Sequence, residues 1–115
     1  MASTQTKKHT ASHKFARIAP RKARLVADQI RGKGIEDALA TLEFSPRRGA
    51  CFIKSVLRSA IANAEEANLD VGRLFVSESR VDEGPTIKRF QPKDRGRSHP
   101  IMKRTSHIHV SVDVR

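Results

Sequence analysis

GPTIKRFQPKDRGRSHPIMKRTSHIHV, residues 84–110, has the pattern of a long hairpin and almost none of the residues that build a core. It carries Lys88, Arg89, Lys93, Arg95, Arg97, Lys103 and Arg104 against one acid, Asp94. A two-stranded ribbon alone in water is marginally stable at best. An arm of this composition is therefore expected to lean on something anionic. Strand periodicity runs through Leu74–Val81 (LFVSESRV) and Ile101–Val112 (IMKRTSHIHVSV), the second with Ile108, Val110 and Val112 on one face and His107, His109 and Ser111 on the other. If the two pair antiparallel across Gly84, Pro85, Pro92, Gly96 and Pro100, each arm projects roughly 30 to 40 Å at about 3.3 Å per residue. The base of such a hairpin can pack on a body, whereas its tip cannot.

The segments before the hairpin supply that body. Ala23, Val26, Ala27 and Ile30 have the i, i+3, i+4, i+7 spacing of one buried helix face, with Pro20 suited to the first turn and Gly32 and Gly34 to the stop. Arg21, Lys22, Arg24 and Arg31 fall mostly off that stripe. Ile35, Ala38, Leu39 and Leu42 repeat the spacing over a shorter helix that ends near Phe44-Ser45-Pro46. Ser45 as N-cap and Pro46 at the first helical position predict a third helix running to about Asn68, with Ala50, Ile53, Leu57, Ala60, Ile61 and Ala64 as its stripe. Residues 1–12 lack apolar periodicity and are expected to form a flexible basic tail, with a short strand over His13–Ile18. The expected fold is α+β: a compact body of three helices packed on a small antiparallel sheet, with a long protruding β-hairpin over about 81–110. Residues 13–115 form a single domain on this reading.

Charge is distributed as unevenly as burial. The formal charge is +11, with a pI near 10.9. Residues 1–34 carry +8, residues 35–83 carry −3, and residues 84–110 carry +6. A slightly acidic middle between two basic segments describes a folded body with two surfaces for a polyanion, nucleic acid first among them. Cys51 alone cannot form an intramolecular disulfide, and the apolar runs fall far short of the roughly 20 residues a membrane helix needs. A soluble intracellular chain is expected.

Chemistry finds little support. Glu65 and Glu66 are adjacent on a helix and so point in different directions. His107 and His109 share a strand face but lack Cys or acidic neighbours at ligand spacing, so polar or RNA contacts fit them better than a metal. Cys51 reads as a small buried hydrophobe. Gly32-Lys33-Gly34 lacks the upstream Gly and the Ser/Thr of a phosphate loop and reads as a helix stop. No catalytic residue, metal or cofactor is expected. Nucleic-acid binding fits the cations directly, since Arg can grip phosphate with a planar fork. Phe90 is a lone candidate base-stacking residue. With neither Tyr nor Trp in the chain, recognition through backbone and shape is expected.

Three stretches carry a family resemblance: ARIAPRKARLVADQIRGK within residues 12–34, SAIANAE at Ser59–Glu65, and VDEGPTIKRFQPKDRGRSHPIMKRTSHIHV at Val81–Val110. Over roughly residues 14–112 the chain resembles the bacterial large-subunit ribosomal protein twenty-two family, most specifically in VDEGP, the KR-x-x-P-K-x-x-G-R run and KRTSHI. That resemblance implies a cytoplasmic ribosomal protein that binds 23S-type ribosomal RNA and supports subunit assembly. It implies a body near the peptide exit, a hairpin reaching the tunnel wall, neighbouring ribosomal proteins as partners, and a monomer within the particle. Carried over by position, RNA-facing residues are Lys14, Arg17, Arg21, Lys22, Arg24, Arg31, Lys88, Arg89, Lys93, Arg95, Arg97, Lys103, Arg104 and His107. Lys88, Arg89, Phe90, Gln91 and Pro92 would line the arm. Lys93, Asp94, Arg95, Gly96 and Arg97 would form the tip facing the nascent polypeptide. Asp94 stands where the family commonly has a small neutral residue, and His99-Pro100 replaces a more usual polar or charged pair. The other function class is a free architectural or regulatory nucleic-acid-binding protein with a basic ribbon arm; such proteins normally insert apolar wedges, where this tip has Arg, Gly and Asp.

Overall fold

The computed structural model describes residues 9–93 and 97–114, with backbone alone at 89–93 and 97–101. Its elements run β1 (His9–Ala16), α1 (Pro20–Ile30), α2 (Ile35–Phe44), α3 (Arg48–Glu66), a 3-10 turn (Val71–Arg73), β2 (Leu74–Glu83), β3 (Ile87–Lys93), β4 (Arg97–Lys103) and β5 (Ser106–Val114). The α+β body expected from periodicity is present. β5 lies between β1 and β2 in a three-stranded antiparallel sheet, and β3 pairs with β4 as a separate ribbon.

One face of the sheet is apolar because β5 alternates. Ile108, Val110 and Val112 are fully buried, together with Val26 and Ile30 of α1, Ile53 and Leu57 of α3, and Val76 of β2. The helices come close because small residues line their contact. A Cβ on Gly49 would sit 3.2 Å from Ile18 Cδ1 and 3.5 Å from Ala23 Cα, so the start of α3 lies directly on the start of α1. The far edge of β2 is closed by the loop between α1 and α2: Gly32 N–H donates to Val76 O at 2.9 Å, and Val76 N–H to Lys33 O at 2.9 Å. Pairing at Val76 shortens the open ladder that would otherwise invite association.

Several expectations are corrected. The tail is shorter than residues 1–12, since His9–Ser12 pair with β5 from His9↔Val112 onward; Thr10 Oγ1 and Ser111 Oγ, 2.9 Å apart, supply a polar seam that needs no apolar period. Residues 1–8 of that tail lie outside the described residues. Ser45-Pro46 does not start α3. The residue before a proline is biased to extended backbone, the chain stays extended through Arg47 (φ −76°, ψ 139°), and the helix begins at Arg48 with no side-chain cap. It ends at Glu66 rather than Asn68, and Val56 rather than Ile61 completes its buried stripe. Cys51 is exposed, not buried, because it falls off the stripe set by Ala50, Ile53 and Leu57.

The expected strand over Ile101–Val112 is two strands. β4 ends at Lys103 and β5 begins at Ser106. Between the body sheet and the ribbon, the three residues 84–86 oppose the two residues 104–105, a mismatch of the kind that bends a ladder. The described ribbon has seven residues per strand, about 23 Å at 3.3 Å per residue, because residues 81–83 and 106–110 belong to the body sheet. The Cα radius of gyration is nevertheless 17.6 Å, with extents of 67 × 36 × 20 Å, against about 13 Å for a compact domain of this length.

Candidate nucleic-acid interface

A groove of about 870 Å³ opens where the loop from β1 to α1, the start of α3 and the root of the ribbon meet. Its floor is apolar, formed by Ile18, Ala19, Leu25 and Gly49, and its walls carry Arg17, Lys22, Arg47, Arg48, Lys103 and Arg104. These six cations come from three separate parts of the chain, and among the described residues no acid lines the groove. Two helix N-termini point their partial positive charge into the same region. α2 shows the ordinary pattern, with Glu36 and Asp37 in its first turn. By contrast α1 and α3 have no acid in their first turns; Arg21 and Lys22 occupy one, and Arg47 and Arg48 flank the start of the other. Cations at a helix start oppose the dipole by about 0.3–1 kcal/mol each. Their placement serves something other than helix stability.

The Lys and Arg residues singled out in the sequence whose side chains are described divide into two groups. Lys14, Arg17, Arg21, Lys22, Lys88, Lys103 and Arg104 are exposed. Arg24 and Arg31 are committed in part to the fold. Arg24 Nε donates to Val81 O at 3.1 Å, and one Arg31 nitrogen reaches both Asp28 Oδ1 at 2.9 Å and Ser79 O at 2.6 Å. Both therefore tie α1 to β2, while a guanidinium with five donors keeps others free. Lys88 and Met102 face each other in the ribbon register, as do Lys93 and Arg97. Asp94, Arg95 and Gly96 lie outside the described residues, as do the side chains of Arg89, Phe90, Gln91, Pro92, Lys93 and Arg97.

His107 is half-buried on the face of the sheet away from the helices. Its Nδ1 accepts the Phe15 N–H at 3.1 Å, which puts the proton of the neutral ring on Nε2. His109 lies between Ser12 Oγ, 2.7 Å from Nδ1, and Asp82 Oδ2, 3.3 Å from Nε2. The two histidines are thus engaged separately, and among the described residues no group of three His, Cys, Asp or Glu is placed to hold a metal ion. Among the described residues no helix is long and apolar enough to cross a membrane.

Arg47 and Arg48 are not among the residues that sequence patterns single out, although Pro46-Arg47-Arg48 at the start of a strongly periodic helix is a legible signal: two cations where the dipole favours acids. Phe15 is not among them either, and only the tertiary structure reveals its exposure.

The family described as Ribosomal protein L22p/L17e matches residues 11–113 of this chain. Curated relatives include the large ribosomal subunit protein uL22 of Lacticaseibacillus casei, 57% identical over 104 residues, covering 90% of this chain and 89% of the relative. The uL22 protein of Ligilactobacillus salivarius is 56% identical over 106 residues, 91% of this chain and 92% of its own. That of Desulfosudis oleivorans is 50% identical over 101 residues, 88% and 89% of the two chains.

Proposed function

We propose, from the premise that this chain belongs to the ribosomal protein L22p/L17e family, that it is a structural constituent of the large ribosomal subunit and grips ribosomal RNA through the groove at the root of its ribbon. It is a ribosomal protein and not an enzyme. The observation that carries the RNA reading is the convergence of Arg17, Lys22, Arg47, Arg48, Lys103 and Arg104 on one apolar-floored groove without an acid among its described lining residues. Six like charges held this close repel one another in the free protein, and a phosphate backbone threaded between them removes that repulsion while releasing its counterions.

The ribbon extends the same logic outward. Its strands carry Lys88, Arg89, Lys93 and Arg97 on an element separate from the body sheet, so the RNA that fills the groove continues along the arm. The tip at Lys93–Arg97 reaches the exit tunnel and meets the nascent polypeptide, the chain acts as a monomer among neighbouring ribosomal proteins, and its binding across separate RNA segments supports subunit assembly. Lys14, Arg21 and His107 extend the contact beyond the groove.

Fractionation of ribosomes on a sucrose gradient tests the first part: the chain co-sediments with large subunits and is released by high salt as its RNA contacts are screened. Its absence from purified large subunits overturns the reading. Crosslinking of intact particles from Arg95 tests the tip, with attachment to RNA or nascent chain at the tunnel wall as the expected result and attachment to solvent-side rRNA as the opposing one.

A further inference from the structure

β1 breaks its register with β5 between His13 and Ala16, where the two residues Lys14 and Phe15 oppose the single His107, and of these two Phe15 has the unusual backbone. Its φ is 62°, a left-handed conformation that a bulky L residue seldom takes. Its side chain is not driven inward by the turn: Phe15 is 60% exposed. Yet the ring is held. It meets His107 edge-on, centroids 5.0 Å apart at 86°, while the Phe15 N–H donates to Nδ1 of the same imidazole at 3.1 Å. The edge contact is worth about 0.5–1.5 kcal/mol, yet most of the ring stays in water and adds nothing to the core. Strained backbone residues cluster at ligand clamps and active sites. Lys14 precedes it and Arg17 follows two residues later, both exposed, and Arg17 belongs to the cationic groove.

We propose that Phe15, braced by His107, is a stacking platform for one unpaired base of the ribosomal RNA, with Lys14 and Arg17 taking the flanking phosphates. This rests on the RNA-binding reading above and adds a recognition mode to it. Unpaired bases splayed from loops and bulges stack on aromatic side chains, and any base offers a π-face. The T-shaped contact uses one side of the pair and leaves a ring face open. Cations on both sides of the ring in the chain match the phosphates on both sides of a single nucleotide, which favours a nucleotide over an apolar protein side chain as the occupant.

The chain contains neither Trp nor Tyr, so Phe15→Trp introduces a single strong fluorophore at the platform. Titration of the full chain with protein-free large-subunit ribosomal RNA then reads stacking directly. F15W is expected to bind within about twofold of the native chain and to be quenched. F15A is expected to bind about tenfold more weakly or worse with an unchanged salt slope, because every phosphate-binding cation remains in place. F15G removes the ring and relieves the positive φ. It should melt no lower than the native chain yet lose as much affinity as F15A, which separates a stacking role from a turn-forming one. Native affinity in F15A and F15G, or F15W fluorescence that changes only when other ribosomal proteins are added, overturns the platform. If those variants bind normally while R47D weakens binding, stacking fails and the groove stands. If the native chain does not bind this RNA at all, both fail.

Discussion

Gly84 donates its N–H to the Thr105 carbonyl at 2.9 Å, and the two backbones are so close that a Cβ on Gly84 would lie 2.5 Å from Thr105 Oγ1 and 3.2 Å from the Thr105 carbonyl carbon and oxygen. The Thr105 hydroxyl is committed as well, donating to Pro85 O at 2.6 Å. This clasp sits where the body sheet ends and the ribbon begins, so the glycine is required by proximity and not by an unusual φ. Gly84→Ala is expected to cost about 1–3 kcal/mol, as overpacking of a tight contact does, and to lower affinity for ribosomal RNA by disturbing the angle of the arm. Urea unfolding and RNA titration check the two effects; a variant as stable as the native chain would show that the clasp yields freely.

Arg47→Asp should move stability and binding in opposite directions. An aspartate at this N-cap can accept from the free N–H groups of α3 and favours the helix dipole, raising stability by about 0.5–2 kcal/mol. The same change removes a cation from the groove and adds an anion, so RNA binding weakens and the salt slope falls by about 0.7–0.9 for the one phosphate no longer neutralised. Arg48 differs, since its guanidinium lies over the Phe52 ring at 5.8 Å; Arg48→Ala weakens binding, while the loss of about 0.5–1 kcal/mol with the ring contact is offset by relief of the helix dipole, leaving stability little changed. Thermal melts alongside RNA titrations in graded salt read both.

Two buried serines predict opposite signs. Ser106 is fully buried and donates to Ile18 O at 2.6 Å, joining β5 to the loop that leads into α1. Ser106→Ala strands that carbonyl and should cost about 1–3 kcal/mol. Ser79 is also buried, but among the described residues its Oγ has no hydrogen-bond partner. Ser79→Ala therefore removes an unpaired polar atom at little loss of volume and should be neutral or stabilising by up to about 1 kcal/mol. Denaturant midpoints decide between these signs.

Glu43 and Lys54 link the end of α2 to the middle of α3. The hydrogen bond from the Lys54 ammonium, followed by its charge, holds the Glu43 carboxyl below its ordinary value; burial opposes them, and the charge of Arg58 adds the least. A carboxyl depressed in the folded state binds fewer protons there than in the unfolded chain, so stability rises with pH across the interval between the two values. The contribution is complete above the ordinary glutamate range and disappears as pH falls through the folded value. Glu43→Gln should flatten this part of the acid limb of a stability profile and leave the melting temperature near neutrality little changed, as expected of an exposed pair.

Much of this protein is legible in one dimension. The stripe at Ala23, Val26, Ala27 and Ile30 and that at Ala50, Ile53, Leu57, Ala60 and Ala64 correspond to buried faces of α1 and α3, because helical periodicity depends only on spacing. The start of α3 is less legible, since Ser45-Pro46 satisfies the local rules for a helix start while the chain stays extended for two further residues. The β1 strand from His9 is hidden because its outward contacts are hydroxyls and a histidine rather than apolar side chains. Arg24 and Arg31 resemble free phosphate ligands until the strand they bond, β2, lies beside them.

Helix and strand periods, the basic arm and the demand for a polyanion are properties of neighbouring residues and of summed charge, so the amino-acid order alone determines them. Which cations face one another is a different matter. Arg17, Arg47 and Lys103 share a groove only because Gly49 lets α3 rest on α1 and because β5, between β1 and β2, returns the ribbon to the same corner. Contacts between residues so distant in the chain leave no periodic trace, and packing of the folded core alone brings them together.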